Sequence, residues 1–187
     1  MAEYDFNHPN WIQKSQRTFR MFDRNRDGKV DYNEFTKVLR DIEGACKPSK
    51  EEMIIAYEIV DDITKEIGIG SNDPGISMEE WVARLQRFGA EEIARGKCGE
   101  PLKFKRFHSA LFNIVDTNKD GHLSLEELTV MCKIHVDATD AQCKNAFDTL
   151  DKNHNGEISR KEYVDTYFEL FFSINNINLY GNNFIDS

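Results

Sequence analysis

Residues 116–127 read Asp116-Thr117-Asn118-Lys119-Asp120-Gly121-His122-Leu123-Ser124-Leu125-Glu126-Glu127, and this stretch decides the fold. Acidic or amide side chains stand at its positions 1, 3 and 5, a glycine at position 6 and a glutamate at position 12. The same pattern occurs twice more without gaps, as DRNRDGKVDYNE at 23–34 and as DKNHNGEISRKE at 151–162. All three segments match the pattern D-x-[DN]-x-[DN]-G-x5-E.

Apolar residues at helical spacing flank each of the three segments. After the first segment, for example, Phe35, Val38, Leu39 and Ile42 repeat at intervals of three and four. The unit helix–polar loop–helix therefore occurs three times, which predicts an all-α protein.

Oxygen-bearing side chains at this spacing suit a hard cation. Ca²⁺ takes six to eight oxygens, supplied by side chains at positions 1, 3 and 5, a backbone carbonyl at 7, position 9 and a bidentate glutamate at 12. The predicted ligands of the first loop are Asp23, Asn25, Asp27, the carbonyl of Lys29, Asp31 and Glu34. Those of the second loop are Asp116, Asn118, Asp120, the carbonyl of His122, Ser124 and Glu127. Those of the third loop are Asp151, Asn153, Asn155, the carbonyl of Glu157, Ser159 and Glu162. Three Ca²⁺ sites are predicted, for which Mg²⁺ competes.

A fourth segment, residues 69–80, follows the pattern incompletely. Glu80 stands at position 12 and Ile76 at position 8, where the other loops also carry an apolar residue. Ile69 replaces the first aspartate and Pro74 replaces the turn glycine, so we predict that this loop holds no metal.

The fourth segment completes a set of two pairs. Loops of this kind pair back to back through position 8, so Val30 should face Ile76, and Leu123 should face Ile158. We predict four helix–loop–helix units in two pairs within one compact domain, with short β-bridges between paired loops. The pairs should comprise residues 1–90 and 100–187, with the division near 89–100.

Composition limits the classes of partner. The net charge is −9, with 33 Asp and Glu against 24 Lys and Arg, which disfavours nucleic acid and anionic membranes. No signal peptide, membrane span or N-myristoylation site is seen, and none of the four cysteines forms a C-x-x-C pair. We therefore expect a cytoplasmic protein, and we also predict a monomer. The histidines show no zinc-ligand spacing and no catalytic motif is visible, which predicts a protein that is not an enzyme; they are His8, His108, His122, His135 and His154.

The three complete loops resemble those of the EF-hand superfamily. Complete loops one, three and four, with a decayed second, are similar to the sarcoplasmic calcium-binding protein group, which includes coelenterazine-binding proteins and calcium-regulated photoproteins. Residues 146–160 and 76–80 look most like the coelenterazine-binding branch, whereas 7–12 and 179–182 look like photoproteins. The resemblance implies the EF-hand fold and allows coelenterazine, an apolar aromatic luciferin, as a ligand.

The chain departs from photoproteins where they carry catalytic-site His and Trp. It reads Gln13-Lys14-Ser15-Gln16 after the Trp-Ile pair, and Tyr167 and Phe171 on the last helix. These departures count against light emission but not against ligand binding.

Two functions therefore stay open. The first is a cytosolic calcium buffer or sensor with a filled core, which the sequence favours. The second is a luciferin carrier or photoprotein relative in which Ca²⁺ controls ligand release. A calmodulin-like target-binding sensor is weaker because the chain has only five methionines. An apolar tail, containing Ile174, Ile177, Leu179, Tyr180 and Phe184, should fold back over the junction between the two pairs.

Overall fold

The computed structural model describes residues 3–175, apart from the side chains of 135 and 136. In this range the chain forms helices joined by two short ladders, as the sequence predicts. The helices are α1 (Pro9–Phe22), α2 (Tyr32–Cys46), α3 (Lys50–Ile67), α4 (Met78–Lys97), α5 (Lys103–Val115), α6 (Leu125–Val136), α7 (Asp140–Leu150) and α8 (Arg160–Phe172). The strands are β1 (Lys29–Val30), β2 (Ile76–Ser77), β3 (His122–Leu123) and β4 (Ile158–Ser159).

Most helices begin at a capping box, in which the N-cap side chain and the residue three places later bond each other's backbone N–H. Ser49 and Glu52 form such a box at the start of α3. Position 9 of each loop is the N-cap of the following helix, and position 12 is its partner. The same residues thus end the loop and start the helix.

The two ladders have the predicted register. Val30 pairs with Ile76, and Leu123 pairs with Ile158, both antiparallel. All four side chains are fully or almost fully buried. Each ladder therefore ties two loops together at position 8, the decayed loop included.

Helix α4 extends through most of the stretch predicted to divide the two pairs. It runs to Lys97, so only residues 98–102 lie between α4 and α5. Gly89 is needed in the helix because an added Cβ would lie 2.6 Å from the ring of Phe6 and 3.1 Å from that of Phe172. The glycine thus permits close packing here rather than a break in the helix.

The two pairs share one apolar core. Helix α3 lies along α5, α2 packs on α6, and α1 contacts α8. The core runs continuously from Phe19 and Trp81 in the first pair to Leu123 and Tyr163 in the second. Among the described residues, no helix has both the length and the apolar character needed to span a bilayer.

Candidate metal centres

In each complete loop the first aspartate is the residue that ends the entering helix. Its backbone N–H still bonds the helix, while its two carboxylate oxygens accept from the N–H groups of loop positions 5 and 6. For Asp116 these distances are 3.2 Å from Asp120 and 3.0 Å from Gly121. Asp23 and Asp151 form the same pair of bonds. The first ligand of each predicted set is therefore held toward the loop interior.

The glutamate at position 12 closes each loop from the opposite side. One oxygen of Glu127 accepts from the N–H of Thr117 at 2.9 Å, and the other from the N–H of Ser124 at 3.0 Å. Glu162 bonds Lys152 and Ser159 in the same way. Glu34 bonds the N–H groups of positions 3 and 9 in the first loop. Each carboxylate thus reaches across its loop.

The remaining side-chain ligands fill the arc between these two anchors. The Asn118 oxygen accepts from the N–H of Asp120 at 3.0 Å, and Asp120 accepts from the N–H of His122 at 2.9 Å. Equivalent bonds link positions 3, 5 and 7 in the other two loops. These hydrogen bonds therefore order each predicted ligand set within one local turn.

The donor set is mixed rather than purely acidic. Within the described residues, no three His, Cys, Asp or Glu side chains converge closely enough to hold a metal by themselves. The loops instead combine carboxylate oxygens with amide, hydroxyl and carbonyl oxygens. That donor set suits Ca²⁺, and the residues fit the ion that the pattern implies.

Hydrogen bonds keep key carboxylates ionised. Burial raises the pKa of Glu127, but bonds from Ser124 and Thr117 outweigh it and hold the pKa below its ordinary value. The same balance, with Ser159 as donor, lowers the pKa of Glu162. The backbone N–H of His122 chiefly lowers the pKa of Asp120. These three carboxylates are therefore charged at neutral pH.

In the decayed loop, internal contacts occur at positions where the other loops carry predicted ligands. Ile69, at position 1, is buried in the core. Asp73 accepts from the N–H of Gly70 at 2.7 Å, which satisfies the carboxylate inside the loop. The left-handed turn has moved from position 6, now Pro74, to Gly75 at φ +83°. We retain the prediction that this loop is metal-free.

A guanidinium joins the two helices of the decayed unit. Arg84 on α4 donates to the carbonyl of Gly68, at the end of α3, and lies 3.2 Å from Glu80 at position 12. Its positive charge thus bridges the position-12 carboxylate and the C-terminus of the entering helix, where cations are favoured.

An aromatic cluster lies where helices of the two pairs meet; we define it as Phe6, Trp11, Phe88, Phe104, His108, Tyr167, Phe168, Phe171 and Phe172. Its ring centroids are close, as in Phe104–Phe172 at 4.8 Å and Phe6–Trp11 at 5.2 Å. The Trp11 indole donates to the carbonyl of Phe171 at 2.9 Å. The cluster therefore connects α1, α4, α5 and α8.

Sequence reasoning missed the polar part of this cluster. His108 is buried, and its ring stacks on Tyr167 at 4.7 Å with an interplanar angle of 19°. The two residues lie on different helices, far apart in the chain, so no local sequence motif predicts their contact. On α8, the side chains of Tyr163, Tyr167, Phe168 and Phe172 are buried.

A buried lysine fastens the end of α8 to α1. Lys14 donates to the carbonyl of Ser173 and, at 3.0 Å, to that of Asn175. Burial lowers the pKa of Lys14 to about 8. Of the tail predicted to fold back, only Ile174 lies among the described residues, and its backbone N–H donates to the carbonyl of Glu3 at 3.0 Å. The rest of that prediction falls outside the described residues: Ile177, Leu179, Tyr180 and Phe184.

Comparisons with known proteins agree with the loop pattern. The family model described as an EF-hand domain pair matches residues 12–80 and 104–168. The luciferin-binding protein of Renilla reniformis is 25% identical over 87% of this chain and 86% of its own length. Calexcitin-1 of Caenorhabditis elegans is 29% identical over 89% of this chain and 82% of its own. The crystal structure of the Ca²⁺-regulated photoprotein mitrocomin from the jellyfish Mitrocoma cellularia has a similar fold, with a TM-score of 0.85, 22% identity and coverage of 96% and 93%.

Proposed function

Because the chain belongs to the EF-hand domain pair family, we propose that it binds three Ca²⁺ ions and uses them to control the binding of an apolar aromatic ligand. The loops beginning at Asp23, Asp116 and Asp151 hold the ions, and the aromatic cluster holds a ligand of the coelenterazine type. In this role the protein is a carrier and not an enzyme.

The observation that carries the proposal is the position of the aromatic cluster. Its helices adjoin every complete loop, since α1 enters the first, α5 enters the second and α8 leaves the third. When bound, Ca²⁺ supplies the positive charge that draws the ligand oxygens of a loop together. A change in helix direction at any of the three loops would therefore move residues of the aromatic cluster.

The composition of the cluster suits a small aromatic molecule. Ligand sites are mostly apolar, with a few polar groups that set orientation. Here aromatic rings surround His108 and Tyr167, whose polar atoms can orient such a molecule. The similarity to a luciferin-binding protein supports this ligand class.

The alternative is a cytoplasmic calcium buffer in which the cluster is a filled core. The close ring contacts favour it, since Phe6 and Phe172 pack directly on the backbone of Gly89. In a buffer, Ca²⁺ would change stability and little else.

The deciding experiment is a coelenterazine titration of the metal-free protein, followed by absorbance and fluorescence. Micromolar binding that weakens on adding Ca²⁺ is expected. If the protein takes up three Ca²⁺ but shows no detectable coelenterazine binding, the calcium buffer is the function that remains.

A pair of tryptophan variants localises the ligand. Trp11 and Trp81 are both about 1% exposed, and both indoles donate to a backbone carbonyl. Only Trp11 belongs to the aromatic cluster, since Trp81 packs on Phe19, Phe22 and Phe35. Trp11→Phe should weaken coelenterazine binding about tenfold, which is about 1.4 kcal/mol, while Trp81→Phe should not. Equal effects would argue against the cluster as the binding place.

A further inference from the structure

Lys119, at position 4 of the second loop, is directed out of that loop by two contacts. Its ammonium donates to Glu52 Oε1 at 2.6 Å and to the carbonyl of Asn113 in the last turn of α5. Its backbone is left-handed, with φ at +60°. The charge nearest in sequence to the ligands Asn118 and Asp120 is therefore held outside the loop.

Glu52 lies in the other pair of helix–loop–helix units, in the first turn of α3. Its second oxygen, Oε2, accepts from the N–H of Ser49 at 2.8 Å and completes the capping box. The Glu52 side chain is only 22% exposed. Burial raises its pKa, but the bonds from Lys119 and Ser49 outweigh this and lower it. Glu52 is thus an anion at neutral pH with both oxygens engaged.

We infer that Glu52, though outside every loop, sets the calcium affinity of the Asp116 loop by holding the Lys119 ammonium away from it. The inference rests on the proposed calcium binding. Lys119 is the only cationic Lys or Arg among residues 116–127. Without Glu52 the flexible side chain could approach the loop carboxylates, where it would compete with Ca²⁺ and repel it.

The same contact links the two pairs. By thermodynamic reciprocity, if the ion pair favours Ca²⁺ at the Asp116 loop, then Ca²⁺ at that loop favours the ion pair. Helix α3 leads to β2, which pairs with β1 of the first calcium loop. Ca²⁺ in the second loop therefore strengthens the contact that holds α3, the helix that leads toward the first loop.

The test is a double-mutant cycle with Glu52→Gln and Lys119→Gln. Glutamine at position 52 keeps the helix cap, because Gln142 forms the same capping box with Thr139 in α7. The matched control is Glu51→Gln, which removes the same charge from the neighbouring, exposed residue. Site-resolved NMR calcium titration reads the affinity of the Asp116 loop in each variant.

Glu52→Gln should weaken that affinity about two- to fivefold, the range for a partly exposed ion pair, and more than Glu51→Gln does. In the Lys119→Gln background the excess should vanish. An equal loss in both backgrounds would mean that Glu52 acts only as a distant charge, which overturns the inference. If the Asp116 loop of the wild-type protein binds no Ca²⁺, the calcium assignment itself is wrong. If that loop binds Ca²⁺ with an affinity that does not depend on Glu52, only the present inference is wrong.

Discussion

Glu92 offers a sharp test of how the two pairs are joined. Its carboxylate is completely buried on α4 and accepts from the backbone N–H groups of Lys103 at 3.2 Å and Phe104 at 3.0 Å. It also pairs with Arg95 at 2.9 Å. The N-cap residue of α5, Leu102, makes no side-chain cap. Glu92 thus caps α5 from another helix.

The expected cost of Glu92→Gln follows from these contacts. Loss of a helix N-cap costs about 0.5–2 kcal/mol. Breaking a buried charge pair from one side costs about 3–5 kcal/mol. Because glutamine keeps one acceptor oxygen and Arg95 is partly exposed, we expect a loss of about 2–4 kcal/mol in the free energy of unfolding.

Urea unfolding in EDTA and in excess Ca²⁺ measures this loss. Glu100→Gln is the matched control, since Glu100 is exposed in the turn before α5, and it should cost less than about 0.5 kcal/mol. The loss should be similar with and without Ca²⁺, because Glu92 belongs to no loop. A loss below about 1 kcal/mol for Glu92→Gln would refute the role of this carboxylate as a buried cap.

Four further outcomes are expected. Replacing the position-12 glutamate by glutamine should remove one of the three Ca²⁺ sites seen by calorimetry in each variant, namely Glu34→Gln, Glu127→Gln and Glu162→Gln. A fourth tight site in the wild-type protein would contradict the prediction that the decayed loop is metal-free. The Asp116 loop should bind most tightly and the Asp151 loop, with only two ligand carboxylates, least; NMR titration in which Asp151 fills well before the others would oppose this. Arg84→Gln should lower the free energy of unfolding by about 0.5–1.5 kcal/mol, even in EDTA, because its guanidinium and not a metal joins α3 to α4; a protein of unchanged stability in urea would refute that. NMR should show that the Lys14 ammonium titrates near pH 8, against an ordinary pKa of 10.5. Between pH 8 and 10.5 the folded protein then binds fewer protons than the unfolded protein, so this group makes the free energy of unfolding rise with pH in that range. Lys14→Met should abolish this part of the rise.

The sequence by itself determined the loops and their pairing. The predicted ligands and capping boxes interact within twelve consecutive residues, so spacing alone specifies them. The register of both ladders followed because position 8 is apolar in all four loops, including the decayed one, where Ile76 was correctly paired with Val30. The prediction that residues 69–80 hold no metal likewise rests only on Ile69 and Pro74.

Tertiary structure decided how the loops are connected to one another. The need for a glycine at position 89 of α4 comes from Phe6 and Phe172, which pack against it from distant parts of the chain. The stacking of His108 on Tyr167, the cap from Glu92 and the bond from Lys119 to Glu52 all join separate helices. Such contacts depend on the angles at which helices pack, and no periodicity within one helix records those angles.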